Sequence, residues 1–194
     1  MPGVNFDAAY SGTPPWDIGR PQPAFLRLAE SGAVRGSVLD AGCGTGEHAL
    51  MAAELGLEAT GIDASRTAIE LARRKAEGRD LDARFLVWDA LDLPALGPRF
   101  DTVLDSGLFH VFDDDDRTRY VDGLRDAVSP GGMYLMLCFS DRVPGEFGPR
   151  RVSQAEIRSS FEDGWDVRSI EGTTMDVTFT PNGIPAWLSV IART

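Results

Sequence analysis

Apolar residues along the chain alternate between two spacings, short runs of neighbouring apolar positions and longer stretches with helical three-to-four spacing. That alternation is what a largely parallel sheet with helices on both faces requires. Phe25, Leu26 and Leu28 predict a helix over 23–33 that leads into a first strand at 37–40. A helix follows over 47–55, carrying Leu50, Met51 and Leu55 and closed by Gly56. A second strand ends at Asp63, and Ser65 then caps a longer helix. That helix turns Ala68, Ile69, Leu71 and Ala72 inward, with Arg73, Arg74 and Lys75 in its last turns, where cations complement the helix dipole. A third strand over 83–90 and a fourth over 100–104 precede a helix over 116–128. Pro130-Gly131-Gly132 predicts a turn into an apolar run over 133–139, typical of a strand covered on both faces. A short helix over 154–161 and strands over 165–172 and 186–192 complete the expected order. With no repeat, low-complexity stretch or linker, the 194 residues read as one domain, residues 1–35 forming a lid and helix and residues 36–194 the core.

The turn after the first strand carries the chemistry. Residues 38–46 read Val-Leu-Asp-Ala-Gly-Cys-Gly-Thr-Gly, and three glycines in five residues let a strand turn sharply into a helix while a ligand lies against bare backbone. A dinucleotide site needs a small residue three places after the second glycine, for close helix packing. Here Glu47 stands three places after Gly44. Asp40, two places before the first glycine, would repel a pyrophosphate and favour a ligand carrying positive charge. S-adenosylmethionine (SAM), with its sulfonium and ammonium groups, is such a ligand. An NAD-linked oxidoreductase is the rival reading, and both Glu47 and Asp40 count against it.

At these residues the chain resembles the class I SAM-dependent methyltransferases, whose first motif has the form acid, x, Gly, x, Gly, x, Gly. The resemblance implies a Rossmann-like sheet of seven strands, mostly parallel with an antiparallel last strand, and helices on both faces. It implies further that Asp40, Gly42, Gly44 and Gly46 form the cofactor turn and that Asp63, with Ala64 beside it, accepts from the ribose hydroxyls. Asp89 and Ala90 would face the adenine, and Asp105 and Ser106 would meet the methionine moiety through the Asp105 backbone and the Ser106 region. Asp is also a common helix cap, so each acid has a structural alternative when taken singly. The Asn/Asp-Pro-Pro-Tyr signature of methyltransferases acting on adenine or glutamine amines is absent; Asp105-Ser106-Gly107-Leu108 stands in its place.

Composition narrows the partners. The formal net charge of −11 argues against nucleic acid, which is held largely through Lys and Arg contacts to phosphate. A small-molecule acceptor is expected instead. With 43% hydrophobic and 25% charged residues the chain reads as a soluble globular protein. No membrane span or signal peptide is legible, so a cytoplasmic place and a monomer or weak homodimer are expected. Cys43 and Cys138 are too few for a disulfide framework and read as reduced packing residues. The run Asp113–Asp116 reads as a solvated helix cap, and no metal site is expected.

Methyl transfer by in-line displacement needs a dry, aligned pocket, and a base only where the acceptor must lose a proton. His110, just past the fourth strand, is the titratable group best placed at the ligand crevice. Two roles stay open to it, a base or acceptor-orienting group on one hand and packing beside Phe109 and Phe112 on the other. The segment from Pro14 to Pro23, with four prolines and Trp16, suits a stiff lid. It looks like the N-terminal cover of thiopurine methyltransferase-like and quinone methyltransferase-like enzymes that act on small molecules. In that reading Trp16 packs on the sulfonium side and Arg20 pairs with the SAM carboxylate; in the alternative the strap only buries Trp16. Phe139, Phe147 and Arg150, around the loop after the fifth strand, together with Tyr10 and Phe109, are candidates for contact with a flat aromatic or heterocyclic acceptor, methylated on O, N or S. A SAM-binding scaffold without catalysis is the reading from another class, and a closed acceptor pocket would separate the two.

Overall fold

The computed structural model describes residues 6–145 and 148–194. Its centre is a sheet of seven strands: β1 (Ser37–Ala41), β2 (Glu58–Asp63), β3 (Ala83–Val87), β4 (Phe100–Ser106), β5 (Val128–Phe139), β6 (Trp165–Val177) and β7 (Thr180–Arg193). They lie in the order β3-β2-β1-β4-β5-β7-β6. All pairs from β3 through β5 are parallel, and β7 runs antiparallel to both its neighbours. The strand order reverses between β1 and β4, and a ligand crevice in open α/β sheets forms at the carboxyl ends of the strands flanking such a switch.

Six α-helices accompany the sheet among the described residues: α1 (Phe6–Ala9), α2 (Pro23–Glu30), α3 (Glu47–Glu54), α4 (Arg66–Arg79), α5 (Asp114–Ala127) and α6 (Gln154–Ser160). Both faces of the sheet are buried. Tyr120 and Leu124 of α5 and Ile157 of α6 pack with Val103, Tyr134 and Ile191, while Phe25 of α2 and Met51 of α3 pack with Val38, Leu104 and Leu135. The local chemistry explains the starts of the helices. Ser65 accepts the Ala68 N–H at the head of α4, and Ser153 and Glu156 cap α6 reciprocally.

The structure differs from the sequence expectation in three places. The acidic run opens α5 two residues earlier than the spacing predicts, because the Asp113 carboxylate accepts the Asp116 N–H and so makes Asp113 the cap. Pro130-Gly131-Gly132 is not a turn before β5 but lies within it. The register with β4 jumps from Phe100↔Val128 to Thr102↔Met133, so the extra residues bulge out of the ladder. The last two strands are far longer than 165–172 and 186–192. Pairing of β7 with β5 ends at Phe139↔Ala186, while pairing with β6 continues to Val177↔Thr180. The hairpin therefore projects beyond the carboxyl edge of β5; Pro181 falls where β7 has a neighbour on one side only, as an edge tolerates, and Pro185 falls where pairing with β5 ends, its carbonyl still accepting the Ser140 N–H at 3.0 Å.

Candidate active site

The glycine turn is built by backbone positions that only glycine occupies at low cost. Gly46 sits at φ 87°, and a Cβ there would come within 2.7 Å of the Phe85 ring. Gly44 sits at φ 53°, and a Cβ would meet the Tyr10 hydroxyl at 2.7 Å. The turn thus lies tightly between β3 beneath and the N-terminal segment above.

Asp40 does not stand open at the strand tip. It is 1% exposed, with its side chain turned into the first turns of α3, where Oδ2 accepts the Ala49 N–H at 3.1 Å and Oδ1 lies 4.0 Å from His48 Nδ1. Burial, joined by the charges of Asp63 and Asp105, pushes its carboxyl up to about 8 against the single Ala49 donor. It sits under the turn, one residue before β1 ends, and in the cofactor-free fold that value leaves it largely protonated at neutral pH. Asp63 is only half-buried at the end of β2. Its oxygens accept from Gly44 N (2.9 Å) and Ser65 N (2.8 Å), each keeping a further lone pair for a ligand hydroxyl. Burial raises its pKa as well, more than the two N–H donors lower it. A crevice in which the charges of Asp63 and Asp105 raise the pKa of Asp40 fits a cationic nucleoside and disfavours a diphosphate. Gly42 is partly open beside Leu108, Ala64 and Asp89 are exposed, Ala90 is buried and Ser106 is half-buried. Asp89 lies two residues beyond β3, where it caps the following 3-10 turn through Leu91 N at 2.9 Å.

The Asp105 side chain is structural. Its carboxylate accepts four donors: Leu108 N (2.8 Å), Phe109 N (3.1 Å), Tyr120 Oη (3.1 Å) and Tyr134 Oη (2.7 Å). Burial holds its pKa up, to about 6, against those four hydrogen bonds. The network folds the chain after β4 into a 3-10 turn that sends consecutive side chains opposite ways. Phe109 goes into the core, fully buried and stacked on Phe161 at 5.9 Å, so it offers no face to an acceptor. His110 turns toward the crevice, its ring edge against Phe139 at 4.7 Å and its Nδ1 accepting the Phe139 N–H at 2.9 Å.

A roof spans the carboxyl edge of the strands, and most of its fastenings were not foreseen from the sequence. Asp7 accepts from Ser65 Oγ and Thr67 N, which fixes α1 to the head of α4. Trp16 is 42% exposed and donates its indole N–H to Tyr10 Oη at 2.9 Å; Tyr10 itself is buried over Gly44. Asp17 accepts from Thr45 Oγ1 at 2.9 Å, and Thr45 in turn accepts from Lys75, which with Arg79 pairs the buried Glu47. Arg20 does not present a free guanidinium to the site, since it pairs with Asp176 of the projecting hairpin at 2.7 Å. Gln22, 3% exposed, joins three parts at once. Its side chain makes a two-way pair with the Asp176 backbone (2.9 and 2.8 Å), and its N–H donates to His48 Nε2 at 3.1 Å. His48 therefore carries its proton on Nδ1, facing Asp40, and burial lowers its pKa to about 4. One hint of this stands in the chain itself, a histidine two places past the last glycine.

Arg150 is likewise engaged elsewhere: it pairs Asp114 of α5 and Glu156 of α6, the latter at 2.6 Å, on the exposed side of the loop after β5. Phe139 is buried at the end of β5 beside His110, and Phe147 lies outside the described residues. Two open cavities, of about 460 and 310 Å³, lie at the opposite edge of the sheet, around Glu58, Arg84 and Phe100 and around Arg35, Asp101 and Gly131.

A family model described as a methyltransferase domain matches residues 38–132. The chain is 40% identical over 176 residues to 2-heptyl-1-hydroxyquinolin-4(1H)-one methyltransferase of Mycobacteroides abscessus, covering 85% of this chain and 78% of the relative. Among solved structures it is similar to a protein from work on conversion of a disulfide bond into a thioacetal group during echinomycin biosynthesis, with a TM-score of 0.87, 41% identity and coverage of 97% of this chain and 91% of that one. Magnesium protoporphyrin IX methyltransferase from Synechocystis PCC 6803, solved with bound SAM, shares the fold at 18% identity, with a TM-score of 0.69 and coverage of 88% and 76%. A glycine turn over a buried carboxylate, an acid ending β2 and these likenesses lead to one conclusion: the chain belongs to the class I SAM-dependent methyltransferases that act on small molecules.

Proposed function

We propose that the chain transfers the methyl group of SAM to an oxygen, nitrogen or sulfur of a small aromatic or heterocyclic acceptor. Asp63 holds the ribose, the backbone of Gly42, Gly44, Ser106 and Asp105 receives the methionine end, Asp89 and Ala90 border the adenine, and Asp40, ionised once the cation is bound, supplies negative charge from beneath. SAM brings an electrophilic methyl on a sulfonium; the protein supplies alignment and exclusion of water. The observation that carries this reading is the roof. Tyr10 and Trp16 from residues 6–35, with Met175 from the hairpin and Phe139 and His110 below, surround the crevice with aromatic and apolar groups. Its likeness to a hydroxyquinolone methyltransferase and to the echinomycin-pathway protein supports a flat or sulfur-bearing acceptor. A cytoplasmic place and a monomer or weak homodimer belong to the same proposal, the former supported by two buried free cysteines.

The test is incubation with methyl-labelled SAM and a panel of phenols, thiophenols, N-hydroxyquinolones and nitrogen heterocycles, scored by mass for a methylated product. Methylation of at least one ring class supports the proposal. SAM binding by calorimetry without product from any of them would refute the acceptor assignment.

A further inference from the structure

The two ring nitrogens of His110 sit in different surroundings. Nδ1 accepts the Phe139 N–H at 2.9 Å, and a proton on Nδ1 would set two N–H groups against each other, so the neutral ring carries its proton on Nε2. Nε2 lies on the far side of the ring, 3.3 Å from the point a Cβ on Gly107 would take, and Met175 Cε lies 3.6 Å from that same point. It has no protein partner among the described residues.

The charged groups packed around this ring come from several elements. Burial, joined by the charges of Arg117 of α5 and Arg151 of the loop after β5, opposes a second proton and lowers the ring's pKa to about 3. Arg117 is buried over the Phe109 ring at 4.7 Å, with Nε and Nη2 unpaired and Glu156 of α6 at 3.7 Å. Arg150 is held by Glu156 and Asp114, and Cys138 of β5 stays a thiol because burial raises its pKa. Among the described residues, no carboxylate at this end of the crevice is left to take a proton. Asp105 is saturated by four donors, and Asp40 is sealed behind the glycine turn.

Resting on the methyl-transfer reading above, we infer that His110 serves the acceptor as a hydrogen-bond donor through Nε2–H, and that the site selects acceptors whose oxygen or sulfur arrives already ionised. The acceptor gives its proton to water before it reacts. One lone pair of the anion then forms the bond to the methyl carbon, a second receives the His110 N–H, and the pair of the breaking carbon–sulfur bond stays on sulfur, leaving a neutral thioether. A neutral ring nitrogen has a single lone pair, which the donor would occupy, so it is a poor acceptor here. Arg117, behind the ring, adds favourable potential for the anion.

The experiment measures kcat/KM against pH for a set of para-substituted thiophenols and a 1-hydroxyquinolin-4-one of differing acidity, with quinoline as the neutral nitrogen probe. The rising limb of each profile is expected to move with the acceptor's own pKa, and quinoline to react at least about tenfold more slowly. His110→Asn, which keeps a carbonyl for Phe139 N–H and an N–H for the acceptor, should retain a tenth or more of kcat, while His110→Ala loses about 10- to 100-fold, as expected for a hydrogen bond to a charged group. A limb that stays at one pH for every acceptor, quinoline reacting as fast as the thiols, or His110→Asn falling as low as His110→Ala with its thermal unfolding unchanged would each overturn the inference alone. Absence of any product while SAM still binds would overturn it together with the acceptor assignment.

Discussion

Raising the pH from about 6.5 to about 8 should destabilise the cofactor-free protein, with the Asp40 carboxyl as the cause. Its pKa in the fold is pushed from 3.8 to about 8, chiefly by burial. A carboxyl that holds its proton more tightly folded than unfolded contributes its full stability below about pH 4 and loses it as pH rises through the folded value. The histidines act in the opposite sense. His48 and His110, lowered from 6.5 to about 4 and about 3, make the fold more stable as pH rises to about 6.5 and no further. Asp105, raised to about 6, has largely finished titrating by then. The window from about 6.5 to 8 therefore isolates Asp40, with Asp63, also raised, as the remaining neighbour. At about 1.4 kcal/mol per pH unit, this window of about 1.5 units carries about 2 kcal/mol. For a chain of this length that is about 4–8 °C in Tm. The assay is thermal unfolding at both pH values with and without saturating SAM, alongside Asp40→Asn, whose amide oxygen still accepts the Ala49 N–H. The cationic ligand should raise Tm and flatten the pH slope, and Asp40→Asn should remove the slope. A cofactor-free Tm that moves by under about 1 °C, or an equal slope in Asp40→Asn, would refute the reasoning.

Two further outcomes are expected. Asp63→Ala should weaken SAM binding by about 1–3 kcal/mol, the scale for losing a charged hydrogen-bond partner, and equal affinity by calorimetry would exclude it as the ribose ligand. Gln22→Ala removes both bonds to the Asp176 backbone, at about 1 kcal/mol each, so Tm should fall by about 4–8 °C with faster amide exchange at residues 173–180; exchange unchanged there would show that the hairpin is held by other contacts.

What could be read in the sequence follows the reach of each interaction. The glycine turn, Asp40 and the acid ending β2 were legible because a strand-to-helix turn is decided by the residues within it. The placement of Phe109 and His110 was not, since neighbours in a 3-10 turn diverge and only the four-donor network on Asp105, reaching Tyr120 and Tyr134, decides which enters the core. The projecting half of the hairpin was hidden by Pro181, Gly183 and Pro185, which read as loop unless the strand is known to lie at an edge. Arg20 and Arg150 pair away from the crevice for one reason: a guanidinium pairs with whichever carboxylate the fold brings near. Here those are Asp176, 156 positions from Arg20, and Asp114, 36 from Arg150.

The fastening of the roof also bears on how the two ends of the crevice communicate. Gln22 grips the hairpin through its side chain and His48 through its backbone, and His48 turns its remaining N–H toward Asp40. Opening the roof far enough to admit an acceptor breaks the Gln22 pair, Arg20–Asp176, Thr178 N to Pro15 O and Asp17–Thr45. At about 0.5–1.5 kcal/mol net for each bond, the open state lies a few kcal/mol above the closed one and is populated at about 1% or less. Releasing Gln22 also strips His48 of its partner, and with it the orientation of the N–H that faces the acid beneath the cofactor turn. A cation bound above Asp40 and a closed hairpin therefore favour the same arrangement.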